Sequence, residues 1–240
     1  ALVTGAGSGL GKMIALGVAK YGADVVVADI NFSGAQDTKG MIEKIGRKAL
    51  AIKVDVAKWT EVKDMVENIM GKFGQIDISF NIPGINIRKH ALELTPEEYD
   101  RIIEINLRGV FLCAKAAGQV MVNRRKGKII NMASIFGNIG MERQAGYASS
   151  KGGIIQLTKV LALEWASYNV QVNALAPAFF RTPLTEWILK EPNLYQELIR
   201  NQGRFGEPWE IIGPSVFLAS EASSFITGTV LFVDGGWTAK

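Results

Sequence analysis

The chain has 240 residues, 48% hydrophobic and 21% charged, with a net charge of +4. That balance excludes a disordered, fibrous or membrane chain, and the length suits one α/β domain over residues 1–240. A single cysteine, Cys113, excludes an internal disulfide, and a single histidine, His90, leaves no Cys/His cluster at metal-ligand spacing, so no metal is expected.

The opening Ala1-Leu2-Val3-Thr4 has no basic leader and no apolar run long enough for a membrane span, which makes a cytoplasmic protein without membrane partners the expectation. A first strand at residue 1 is abrupt, so a few residues are expected to precede it. Short apolar, β-branched runs then alternate with stretches of helical spacing, the pattern of βαβ units in a doubly wound parallel sheet. The strand at 2–4 leads into Thr4-Gly5-Ala6-Gly7-Ser8-Gly9-Leu10-Gly11 and a helix at 10–21. Glycines between a strand and a helix let a pyrophosphate approach main-chain N–H groups at the positive helix end. The spacing is T-G-x-x-x-G-x-G rather than G-x-G-x-x-G.

The second strand, 24–28, is followed by Asp29, 18 positions beyond Gly11, where a carboxylate accepts hydrogen bonds from both ribose hydroxyls of an adenosine. It would repel a 2′-phosphate. Ile30, Asn31, Phe32 and Ser8 supply no countercharge, so NAD is favoured over NADP. A helix at 34–45, a strand at 49–54, a helix at 60–73 and a strand at 76–80 follow, and Asn81 and Gly84 lie just past that last strand. The helix at 96–121 contains Asn106, whose amide needs a partner there; a buried structural amide and a functional one are both open. The basic run at 124–128 lacks interleaved aromatics, which suits a solvated loop and no nucleic-acid partner.

A buried strand at 128–131 ends near Ser134, at the carboxyl edge where open α/β sheets bind ligands. In the helix at 146–168, Tyr147 and Lys151 stand at i and i+4 and project from one face. A tyrosine pKa of about 10 makes a poor base near neutrality, but a lysine charge nearby favours the phenolate, and a tuned tyrosine shuttles a proton. Beyond a strand at 170–174, the irregular stretch 177–205 carries prolines and the aromatics Phe179, Phe180 and Trp187, expected to be exposed, either as a mobile segment over a ligand site or as a surface excursion. A helix at 208–218 and a strand at 231–233 complete the chain.

With these residues in place the chain resembles the short-chain dehydrogenase/reductase family along essentially its whole length. The resemblance rests on Thr4-Gly5, Gly9 and Gly11, Asp55-Val56, Asn81 and Gly84, Asn106, Ser134, Tyr147 and Lys151, Asn173, Pro177 and Thr182, and Val233-Asp234-Gly235-Gly236, in the family's order. It implies a Rossmann-type seven-stranded sheet of order 3-2-1-4-5-6-7 and a catalytic tetrad of Asn106, Ser134, Tyr147 and Lys151. Tyr147 would be the general acid/base and Lys151 would bind the nicotinamide ribose. Ser134 would hold the reacting oxygen and Asn106 would anchor a water. Gly5, Ser8, Gly9, Leu10, Gly11, Asp29, Ile30, Asp55, Val56, Asn81, Gly84, Pro177 and Thr182 would meet the cofactor, and a homotetramer is implied.

Two departures stand out: Asn81-Ile82-Pro83-Gly84 lacks an amide side chain and an N–H, and Ala178 replaces a common glycine. Within the family, the Arg88 stretch, Phe179-Phe180-Arg181-Thr182-Pro183-Leu184 and Asp234-Gly235-Gly236-Trp237 resemble gluconate 5-dehydrogenases and 2-keto-3-deoxy-gluconate dehydrogenases. A sugar-acid carboxylate suits an arginine fork, which Arg88 and Arg143 would supply, unless both are surface residues. His90 reads as solvated or capping. The alternatives are a 3-oxoacyl-thioester reductase with an apolar channel near Phe136, Phe179 and Trp187, and a non-catalytic NAD-sensing scaffold.

Overall fold

The computed structural model describes residues 1–239, with the backbone alone for Asn201 and Gln202; Lys240 lies outside the described residues. Seven strands, β1 (Leu2–Thr4), β2 (Val25–Asp29), β3 (Ala49–Lys53), β4 (Ile78–Asn81), β5 (Gly127–Met132), β6 (Val170–Pro177) and β7 (Val230–Val233), form one sheet of order β3-β2-β1-β4-β5-β6-β7. Every pairing is parallel. The helices are α1 (Gly9–Lys20), α2 (Phe32–Lys44), α3 (Trp59–Phe73), α4 (Pro96–Ile103), α5 (Gly109–Arg124), α6 (Ala145–Trp165), α7 (Pro192–Gln202) and α8 (Ile212–Ala219).

Alternate strand residues face opposite sides, so Leu2, Val26, Ile129 and Val172 pack against α3, α5 and α6, whereas Val3, Val27 and Ile130 pack against α1, α2 and α8. Central strands are covered on both faces, and β1, β5 and most of β6 are buried along their length, with Lys128 and Asn131 of β5 held by side-chain hydrogen bonds. The helix starts follow local chemistry. Thr95 and Glu98 close a capping box ahead of α4 with Pro96 in the first turn, and the Asn31 side chain accepts from Gly34 N at the head of α2. No described helix is long and apolar enough to cross a membrane.

Two expectations change. The single helix expected at 96–121 is α4 and α5 joined by one π-helical turn, Glu104–Arg108, because the Asn106 amide bonds outside the helix. The stretch 177–205 holds a 3₁₀ turn, Glu186–Lys190, and α7, and its aromatics Phe179 and Phe180 are buried, Phe179 stacking on Phe205 at 5.3 Å. At Ala178, where the missing glycine puts a positive φ in doubt, none occurs: the left-handed non-glycine residues are Arg125, Arg143 and Asn169 among those described. Lys128, the last residue of the basic run and the first of the expected strand, is buried in β5 with its ammonium donating to Gln171 Oε1 (3.1 Å) and Ser223 Oγ (3.3 Å).

Candidate active site

The carboxyl ends of β1, β4, β5 and β6 open on one cavity of about 450 Å³, at the point where strand order reverses between β1 and β4. One end is the glycine turn. Gly9 has φ of 54°, and a Cβ on Gly11 would stand 2.1 Å from the Gly5 carbonyl oxygen, so no side chain fits where the chain folds onto α1. Ser8 precedes α1 without a side-chain capping bond, and the first turn of α1 carries no acidic residue. The helix start therefore offers N–H groups to an anion, and a dinucleotide pyrophosphate fits it.

Asp29 ends β2 beside this turn, its Oδ2 accepting from Gly7 N and its Oδ1 from Asn31 N, both at 2.8 Å. Each carboxylate oxygen retains a lone pair for a ribose hydroxyl. Asp29, Ile30, Asp55 and Val56 line the cavity, as do Gly5, Ser8, Gly9, Leu10, Gly11, Gly84, Pro177 and Thr182. Asn81 does not. It is fully buried, donating to Asn131 Oδ1 at 2.9 Å, and it bonds Ser79 as well, so its amide ties β4 to β5 rather than facing a cofactor.

Ser134, Tyr147 and Lys151 converge at the other end. The first turn of α6 carries Tyr147, and Lys151 one turn on places its ammonium 5.5 Å from the phenol ring centre while donating to the Met132 carbonyl at 2.7 Å. Burial pushes the Tyr147 phenol up to about 12, opposed by a hydrogen bond with Ser134, and pushes the Lys151 ammonium down to about 7. Burial thus favours the protonated phenol, and a positive charge beside it would favour the phenolate.

Asn106 is fully buried behind this group rather than in the cavity wall. Its Oδ1 accepts from Ile85 N (2.8 Å), and its Nδ2 donates to Ile85 O (2.9 Å) and Ser150 Oγ (3.1 Å). The π turn aims the amide at the Ile85 backbone, which explains an asparagine inside a helix and fixes the chain after β4. Ser150, which sequence reading passes over, anchors that amide to α6 by donating to Tyr147 O at 2.7 Å.

Arg88 lines the cavity and Arg143 does not. The Arg88 guanidinium lies 5.2 Å from the centre of the Trp187 ring, with Nε buried and unbonded. Burial, and then the like charge of Arg143, pull its pKa down, against the attraction of Glu197. Arg143 is exposed, with φ of 62°, and donates to His90 Nε2 at 3.0 Å, so of the two arginines expected to form a fork only Arg88 reaches the cavity. Asn86 and Gln144, unremarked in the sequence, also line the cavity, as do Arg101 and Thr185, and an apolar stretch of its wall is made by Ile135, Phe136, Met141, Phe179, Ile188 and Leu198.

A family profile described as enoyl-(acyl carrier protein) reductase matches residues 5–238. The 5-keto-D-gluconate 5-reductase of Escherichia coli is 36% identical over 237 residues, covering 98% of this chain and 93% of its own length. A 3-oxoacyl-acyl-carrier-protein reductase of Staphylococcus epidermidis is 39% identical over 243 residues, covering 98% and 97%. The crystal structure of a gluconate 5-dehydrogenase from Burkholderia cenocepacia in complex with NADP and tartrate superposes with a TM-score of 0.96 at 35% identity, over 100% of this chain and 94% of the other.

Proposed function

Because this chain belongs to the short-chain dehydrogenase/reductase family, we propose that its reaction is the reversible oxidation of a secondary hydroxyl on an open-chain sugar acid, with NAD as the preferred cofactor. The observation that carries the substrate class is Arg88. A guanidinium stacked on Trp187, facing the cavity with an unbonded Nε, is half of a charge-assisted pair whose natural partner is a carboxylate. The gluconate-type activities of the Escherichia coli and Burkholderia relatives fit that partner.

A nicotinamide dinucleotide, when bound, supplies the acceptor for a hydride from the carbinol carbon. The chain's own residues do the rest. Ser134 holds the substrate oxygen, and Tyr147, entering as the phenolate, takes its proton as the carbon–oxygen bond becomes double; in reduction Tyr147, entering as the phenol, returns it. Lys151, within reach of the phenol ring, stabilises the phenolate when its amine is protonated, and Asn106 holds the Ile85 backbone so that the cavity floor keeps its shape. Selection of NAD rests on Asp29, whose carboxylate stands where a 2′-phosphate would carry like charge, without an arginine or lysine at 30–32 to offset it. The Burkholderia relative was crystallised with NADP, so the preference for NAD here rests on this chain's own Asp29.

The apolar wall favours a second reading, reduction of a 3-oxoacyl thioester, the activity of the Staphylococcus relative. Both are tested together by following the absorbance of reduced nicotinamide, with NAD and NADP, over aldonates, neutral polyols, simple secondary alcohols and an acetoacetyl thioester, with Tyr147→Phe as the blank. Turnover of aldonates with NAD supports the proposal. Turnover of the thioester alone, or activity with NADP alone, replaces the substrate or the cofactor respectively. A cytoplasmic homotetramer completes the proposal.

A further inference from the structure

Among the described residues four buried side-chain polar atoms have no hydrogen-bond partner: Arg47 Nε, Asn86 Oδ1, Arg88 Nε and Gln144 Oε1. Three of the four belong to residues lining the cavity beside Tyr147 and Ser134. Native interiors pair nearly all such atoms, since an unpaired acceptor carries its full desolvation penalty, so a cluster of exceptions at one cavity marks a ligand that completes them.

Gln144 is the sharper case. Only 6% of it is exposed, and it occupies the residue before α6 yet makes no side-chain capping bond, so helix stability does not account for it. Its main-chain carbonyl is already engaged by Ala148 N at 2.7 Å, which fixes the backbone and leaves the amide as the group without a role. Asn86 follows Ile85, whose N–H and carbonyl are both held by Asn106. The two amides therefore hang from segments fixed to the catalytic group: one three residues ahead of Tyr147, the other next to the residue that Asn106 clamps.

We infer that Gln144 and Asn86 select a polyhydroxylated substrate by hydrogen-bonding the hydroxyls that flank the reacting carbon. Each amide carries an acceptor and two donors, so it pairs with a hydroxyl in either role, and the soft terminal torsion of each side chain turns the amide toward the cavity. Neither amide pairs with a carboxylate as strongly as Arg88, and neither gains anything from a hydrocarbon tail lying along Ile135, Phe179 and Leu198. The division assigns Arg88 to the acid terminus and the amides to the hydroxyls between it and Ser134; that part rests on the sugar-acid reading.

The test is Gln144→Met, which keeps the length of the side chain and removes its hydrogen bonds, assayed on gluconate, on sorbitol as a neutral polyol and on cyclohexanol as a monohydroxy alcohol, with NADH affinity measured by fluorescence. The expected result is about a tenfold fall in the ratio of kcat/KM for the polyhydroxy substrate to that for cyclohexanol, carried by KM, with NADH affinity within twofold. Equal losses on both substrate types, weakened NADH, or an unchanged ratio each overturn the inference. If cyclohexanol is not turned over, the readout is the rise in Tm that gluconate or sorbitol adds to the NADH-saturated protein, which must shrink in the variant. Gluconate rejected with sorbitol accepted and sensitive to Gln144→Met sinks the sugar-acid reading alone; gluconate accepted and insensitive sinks the inference alone; rejection of both polyhydroxy probes sinks both.

Discussion

Lys151 and Tyr147 make opposite demands on pH, and both are measurable without substrate. Burial lowers the Lys151 ammonium from 10.5 to about 7, so between those values the unfolded chain holds a proton that the folded protein does not. Stability therefore rises with pH across that window and is flat with respect to this group below it. Tyr147 is raised from 10.0 to about 12, so above pH 10 the unfolded chain releases a proton first and stability falls. Urea midpoints of wild type and Lys151→Met across the first window check the sign: the difference between them should change in favour of wild type as pH rises, and a constant difference would mean that the ammonium stays charged when folded. Ser150 belongs to the same scale. Its hydroxyl joins Asn106 to α6, and Ser150→Ala leaves a buried amide donor short of a partner at a cost of about 1–3 kcal/mol. The variant should lose kcat more than it gains KM, with Ser150→Thr restoring part of the loss; a purely structural hydroxyl would lower Tm and leave kcat alone.

The π-helical turn between α4 and α5 shows how an element is shaped by a bond outside it. Asn106 holds both polar groups of Ile85, and Asn106→Leu should free them, so that amide exchange at Ile85 speeds up while the rest of α5 stays protected. Hydrogen exchange read by mass spectrometry decides this, and an unchanged Ile85 rate would assign the turn to packing alone. That turn was not legible in the sequence, because the i, i+3, i+8 spacing of Ile102, Ile105 and Val110 runs through it and only a contact across 21 residues reveals it. By contrast the seven strands, the glycine turn and the Tyr147/Lys151 pair were legible from local rules: apolar runs, a turn between strand and helix, and one helical turn of spacing. The helix α7 was half-legible. Leu194, Tyr195, Leu198 and Ile199 have helical spacing behind Pro192, but neighbouring prolines and charges mask it. Gln144 and Asn86 carry no sequence signal, since an amide's lack of a partner exists only in three dimensions.

At the scale of the whole molecule, cofactor selection becomes a stability measurement. A ligand that binds the folded state alone stabilises it by RT ln(1 + [L]/Kd), about 2.7 kcal/mol at a hundredfold excess over Kd. For a chain of this size each kcal/mol moves Tm by about 2–4 °C, so a saturating dinucleotide should raise it by roughly 5–11 °C. In the proposed placement the glycine turn and the adenosine end of the cavity would serve NAD and NADP alike, and a 2′-phosphate beside Asp29 would be the difference between them. Equal concentrations of the two should thus raise Tm unequally, NAD more, and Asp29→Ala should close the gap by losing NAD binding and gaining NADP. A second whole-molecule property bears on how that melt is read. Phe111 on α5 and Val160 and Leu163 on α6 are exposed, Leu163 at 82%, although these helices bury their other faces in the core. Burial of those side chains by further copies fits the proposed tetramer, and light scattering should give a mass near four chains that falls with Leu163→Glu. If the variant becomes monomeric and still shows the larger shift with NAD, selection lies within one chain at Asp29; if the preference vanishes with the assembly, neighbouring copies shape the adenosine end, and Asp29 alone does not choose the cofactor.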